Sequence, residues 1–264
     1  MISPNGDTMG FSGVRSENLT QEDRLKIGII GEIHSGKSWF AATAPPPVYI
    51  FDFDNRSNSL AGKQGLIIQK QATYLDMETA LSLAQYNAKA SKPNPATWVF
   101  DSVFYMTMAM ENEIFKQMPT SYRTLKMGNR ALKIRQGWDA INTIQRAIPQ
   151  LIADFSALGN VILVYHERDE KDPVNSTPEQ TKYTGRVTVD PQYVAKTLSL
   201  LDDVFRIQVD YKNHRTVKAQ PDNEFNASTS LSLDPSKEYE PDFKIILAAH
   251  QSAKAAKAAN SLKG

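Results

Sequence analysis

Residues 31–38 read GEIHSGKS, two glycines framing a short loop that closes on a lysine and a serine. The apolar run LKIGII (25–30) precedes it, and a short helical pattern from Gly36 follows, ended by Pro45, Pro46 and Pro47. The spacing GxxxxGK[ST] between a strand and a helix is that of a phosphate-binding P-loop. Glycines let successive backbone N–H groups turn inward around phosphates, and the helix N-terminus adds its positive end. On this reading Gly31, Glu32, Ile33, His34, Ser35, Gly36, Lys37, Ser38 and Trp39 form the nucleotide-binding stretch. Lys37 supplies a point charge to the β- and γ-phosphates, and Ser38 a hydroxyl to Mg²⁺. The alternative, a chance glycine turn beside a surface lysine, is disfavoured by the strand before and the helix after.

Working outward, short apolar runs alternate with longer helical patterns. PVYIFDF (47–53), GLIIQ (65–69), TWVFD (97–101) and VILVYH (161–166) have the length and composition of buried strands. Between them lie helical patterns over 76–90, 104–116 and 138–158, and Pro149 is expected to kink or split the last. Strand and helix in alternation predict an α/β fold, a mainly parallel sheet covered by helices on both faces. Beyond it, PVNSTPEQTKYTG (173–185) reads as a long polar loop, and DVFRIQVD (203–210) with HRTVKAQ (214–220) as a C-terminal β-hairpin. FKIILAA (243–249) suits either a last strand or the start of a helix. The expected organisation is a flexible leader over 1–23, one core over 24–249 and a basic, alanine-rich tail over 250–264.

Composition excludes several chemistries. The chain has no cysteine, which removes disulfides, thiolate metal sites and thiol nucleophiles and fits a reducing, cytoplasmic setting. Lys plus Arg number 30 against 29 Asp plus Glu, so only local clusters can point to nucleic acid. No stretch approaches the ~18 uncharged apolar residues of a membrane span, and no membrane partner is expected.

Three further positions fit a nucleotide site. Asp101 ends the strand TWVFD, which the expected sheet order sets beside the loop strand; there it holds Mg²⁺ through water, or else caps the helix that follows. Asp52 and Asp54 close the second strand, where one of them can activate water or both can belong to a solvated turn. His166 stands at a strand exit, either as a γ-phosphate contact or as an ordinary polar residue. Separately, residues 122–135 carry Arg123, Lys126, Arg130, Lys133 and Arg135 with no acid, beside Tyr122. Such a cluster either neutralises the phosphates of a DNA strand or forms a solvated helix face.

The order GEIHSGKS, VYIFDFD, WVFDS, then VILVYHERDEKD with a polar loop and a hairpin, resembles the RecA-type P-loop core over about residues 25–220. It is most similar to the phage-encoded ATPases of that type, small relatives linked to single-strand annealing and recombination. The resemblance implies ATP and Mg²⁺ as ligands, with Lys37, Asp54, Asp101 and His166 as catalytic residues and Ser38 and Asp101 serving the metal. The family's water-activating glutamate is replaced here by Asp54, one methylene shorter. It further implies single-stranded DNA as partner, contacted by the 173–185 loop with Tyr183 and Arg186, and a homo-oligomer, ring or filament. A single-strand-binding protein is a further expected partner, and the host cytoplasm the setting. Arg215 and Lys218 on the hairpin are the candidates for completing a neighbouring subunit's site. Two other functions remain open on sequence alone: a nucleotide-kinase-like phosphoryl transferase with 122–135 as its lid, and an ATP-dependent assembly switch without turnover.

Overall fold

The computed structural model describes residues 24–117, 129–172, 174–177, 180–219, 229, 231, 233–234 and 237–261. Of these, 117, 129–140, 170, 183–186, 254 and 257–261 are described by backbone alone. The leader expected over 1–23 lies outside them.

Strands β1 (Lys26–Gly31), β2 (Val48–Asp52), β3 (Leu66–Lys70), β4 (Thr97–Asp101), β5 (Asn160–Lys171), β6 (Tyr183–Asp190), β7 (Asp203–Val209) and β8 (Arg215–Lys218) form one eight-stranded sheet. Its order is β3-β2-β4-β5-β1-β7-β8, parallel from β3 through β7. β6 runs antiparallel to the outer part of β5, and β8 antiparallel to β7. Helices α1 (Lys37–Ala41), α2 (Tyr74–Lys89), α3 (Val103–Gln117), α4 (Asn129–Ser156) and α5 (Phe243–Ser261) flank it.

The central strands are apolar at nearly every position because both faces are covered. Val161, Leu163 and Tyr165 of β5 pack with Ile144, Ile148, Ile152 and Phe155 of α4 and Val103, Met106 and Met110 of α3. Ile162 and Val164 face the other way, into a cluster with Phe40 of α1 and Phe243 and Ile246 of α5. Alternation along one strand thus feeds two cores. Phe40 and Phe243 stack with centroids 4.3 Å apart, and the Phe243 N–H donates to Thr43 Oγ1 at 2.9 Å, so α5 is anchored where α1 ends.

Three expectations are corrected. The neighbour of β1 is not β4 but β5, which pairs with both; a run as apolar as VILVY takes the slot buried on both sides. α4 passes Pro149 unbroken, with Ile144 and Ile148 before it and Ile152 and Phe155 after it packed into one core, which outweighs the lost backbone bond. β5 continues past His166 to Lys171 and pairs with β6, so strand pairing resumes at Tyr183, inside the stretch read as loop. The run 243–249, open between a last strand and a helix start, is helical and begins α5.

Candidate functional site

At the end of β1 the chain turns back sharply. A Cβ on Gly31 would lie 2.7 Å from Ser35 Oγ and 2.8 Å from the Ile207 carbonyl oxygen, so only glycine fits. Gly36 has φ 96°, in the left-handed region that glycine takes without cost, and its carbonyl accepts the first bond of α1 from Phe40 N–H at 2.9 Å. Lys37 is buried and donates to the carbonyls of Gly31 (2.9 Å) and Glu32 (2.5 Å), bracing the loop across its base. Burial lowers its pKa to about 8, against the opposing pull of Asp101, Glu167, Asp54 and Glu32. A cation held this way is charged at neutral pH and sits among carboxylates that a phosphate would displace in influence.

A cleft of about 880 Å³ opens over the loop. Ile33, His34, Gly36, Lys37, Ser38 and Trp39 line it together with Asp54, Asp101 and His166, which arrive from β2, β4 and β5. The structure therefore brings together residues spread over more than 130 positions. Glu32 and Ser35 turn instead to a second cavity, of about 370 Å³, behind the loop. Trp39 is half exposed, with Lys63 Nζ 4.1 Å from its ring centroid.

Asp101 accepts a hydrogen bond from the Ser38 side chain although β5 separates β4 from β1, because the loop folds back over the strand ends. Burial raises the Asp101 pKa, and the Ser38 bond and Lys37 hold it down. Asp52 and Asp54 hydrogen-bond to each other but differ in their remaining neighbours. Asp52 is buried and accepts from the backbone N–H groups of Arg56 (3.1 Å) and Ser57 (3.0 Å), holding the turn into the 3₁₀ segment Ser57–Leu60. Asp54 lines the cleft, accepts from Arg56 N–H at 3.3 Å and lies 3.7 Å from Arg56 Nε. Desolvation, a hydrogen bond with Asp52 and the charges of Asp101 and Asp52 raise the Asp54 pKa to about 6. Burial and the cations Lys37 and Arg56 lower that of His166 to about 4, so its imidazole is neutral at physiological pH. Its Nδ1 is buried with no hydrogen-bond partner among the described residues, an orphaned group at the cleft wall.

The sequence reading did not single out Glu167, Arg206 or Arg56. Glu167 and Arg206 form a buried pair, Nε to Oε2 3.0 Å, beside Lys37. The only signal for it was an acid directly after the apolar run VILVYH. Arg215, a candidate for completing a neighbour's site, lies on this chain's own loop, its Nε 3.1 Å from the Ser35 carbonyl oxygen. Lys218 is 4.0 Å from Glu238 of the same chain. Of the proposed DNA contacts, Arg123 and Lys126 lie outside the described residues. Arg130, Lys133 and Arg135 fall on α4, and Tyr183 and Arg186 on β6, where only backbone is described.

The residues fit a magnesium ion. That ion takes an octahedron of oxygens, usually one or two carboxylates with waters and substrate phosphates. Ser38 and Asp101 offer one hydroxyl and one carboxylate in contact, and no cluster of three acids or histidines able to cage a metal occurs among the described residues.

A mainly parallel sheet with a glycine-framed loop gripping its own lysine, opposite a carboxylate on a second strand, defines a P-loop nucleoside-triphosphatase fold. The chain belongs to the AAA-domain family, whose description matches residues 23–231. It is thus a member of an ATP-binding class of P-loop proteins. No curated protein matches it. No described helix is long and apolar enough to cross a membrane.

Proposed function

We propose that this chain is a Mg²⁺-dependent ATPase that acts on single-stranded DNA in recombination or annealing, as a homo-oligomer of the phage RecA-like kind. The observation that carries the ATPase part is the convergence of Lys37, Ser38, Asp101, Asp54 and His166 on one cleft. Lys37 exchanges its carbonyl partners for phosphate oxygens, and Ser38 with Asp101 holds the metal position. When bound, Mg²⁺ neutralises phosphate charge and orients the γ-phosphoryl group. Asp54 takes the proton of the attacking water; a carboxyl with a pKa of about 6 is ionised yet still basic near neutrality. His166, uncharged, donates an N–H to a phosphate oxygen. Asp52 is left out of the chemistry because its oxygens hold the turn.

The DNA part rests on the RecA-type resemblance and on the acid-free basic stretch 122–135. The loop that follows β5 is not adjacent to His166. Five further residues of β5 separate them, ~17 Å at ~3.3 Å per residue, so any coupling passes along the β5–β6 ribbon.

The test is phosphate release from ATP with and without single-stranded DNA, beside transfer to nucleosides and monophosphates. Stimulated release that Lys37→Ala abolishes is the expected result. Transfer to an acceptor instead would make the protein a kinase, and tight ATP binding without either would make it an assembly switch. Oligonucleotide binding should weaken with salt at a slope near ~0.7 per contacted phosphate. No binding of single strands at low salt, with ATP bound, would remove DNA from the proposal.

A further inference from the structure

We infer that Arg215 acts in cis: it clamps this chain's own P-loop and presents its guanidinium to the nucleotide held there. The inference rests on the reading of the cleft as a nucleotide site.

The sheet explains how the residue arrives. β7 pairs with β1 up to Ile30↔Arg206 and then continues three residues further, ~10 Å at ~3.3 Å per residue, before the chain reverses. The reversal is tight. Asp210 Oδ1 accepts from the N–H groups of Lys212 and His214, both at 2.8 Å, and the Asp210 N–H donates to the His214 carbonyl at 3.0 Å. β8 therefore begins beyond the end of β1, over the loop, with Arg215 opposite Val209 as its first residue. Side chains alternate along the strand. His214 and Thr216 face the cavity behind the loop, and Arg215 faces the nucleotide cleft.

Arg215 Nε donates to the Ser35 carbonyl at 3.1 Å, and its chain packs flat on Gly36. A Cβ at residue 36 would lie 3.0 Å from Arg215 Cδ and 3.1 Å from Nε. The absence of a side chain at Gly36 is thus used twice, for the left-handed turn and for seating the arginine. With Nε engaged by the loop, the planar fork is oriented, and its terminal nitrogens have no partner among the described residues. A guanidinium held on the P-loop backbone, lining the same cleft as Lys37, recognises polyphosphate. Lys218, three residues on, is engaged by Glu238 and takes no part.

Two variants and one mixture test this. Arg215→Ala should weaken binding of an ATP analogue by about ten-fold or more, the scale of a lost charge-assisted contact, and lower turnover further. Arg215→Lys should recover little of either, because an ammonium cannot hold the Ser35 carbonyl and a phosphate in one plane. Mixing Arg215→Ala with Lys37→Ala subunits should give no more activity than the two variants separately. Recovery in the mixture would overturn the inference, since only an arginine acting across an interface complements a neighbour's intact loop. Amide exchange without nucleotide provides the independent readout. Residues 32–36 should exchange faster in Arg215→Ala than in the parent, and equal exchange would overturn the clamp. If the parent binds no nucleotide while the clamp is seen, the nucleotide reading of the cleft fails, and with it the guanidinium's assigned ligand.

Discussion

Asp54→Asn is expected to stabilise the protein and inactivate it at once. The Asp54 carboxyl is pushed up to about 6 by burial, by its hydrogen bond to Asp52 and by the charges of Asp101 and Asp52. Against an ordinary value of 3.8 this corresponds to about 3 kcal/mol against the ionised form, at ~1.4 kcal/mol per tenfold. The site opens to solvent, and screening reduces the figure to about 1–2 kcal/mol. The folded-state value lies above the unfolded one, so the penalty is small near pH 4, grows as pH rises and is complete above about 6. Asparagine removes the charge and still has an N–H to offer Asp52. Near neutral pH the variant should melt about 2–8 °C above the parent, and near pH 4 most of that gain should vanish. Turnover should fall by ~10²–10⁴ with nucleotide binding retained. Thermal unfolding at the two pH values, with phosphate release at the higher, decides it. An equal gain at both, or none near neutrality, would refute the clustered-carboxylate argument; parent-like turnover would refute the assignment of the base.

Lys37, lowered to about 8 by burial, should make nucleotide association by the free protein level below that pH and decline towards tenfold per pH unit above it, because binding selects the ammonium. Calorimetry in buffers of different ionisation heat reads the proton uptake directly, and a flat affinity profile would count against the lysine as phosphate ligand. Gly36→Ala should cost about 1–2 kcal/mol from its left-handed backbone and, by displacing Arg215, weaken nucleotide binding at least as much as Arg215→Ala does. A folded Gly36→Ala protein with parent affinity would show that the loop tolerates a side chain there. Glu167→Ala leaves the buried Arg206 without the acid 3.0 Å away and should cost roughly 3–5 kcal/mol in denaturant unfolding. A loss near zero would mean that the pair is replaceable.

What was legible in the sequence is local in origin. GEIHSGKS carries its chemistry in its spacing, since two glycines, a lysine and a serine within eight residues make a phosphate cradle wherever a strand leads in and a helix leads out. The apolar runs were likewise readable, because a strand buried on both faces needs no polar side. Which strand lies beside which was not. VILVY is apolar throughout and TWVFD carries Thr97 and Asp101, yet both are buried interior strands, and only their packing decided that β5 separates β1 from β4. Asp52 and Asp54 are indistinguishable by type and spacing; backbone N–H groups of the turn engage one deeply and leave the other on the cleft. Arg215 stands 178 residues from Lys37, and its hold on Ser35 depends on how far β7 overshoots β1, a length set by strand register in the folded sheet. Sequence spacing encodes contacts made within one element, whereas contacts between distant elements depend on the order and stagger of the whole sheet.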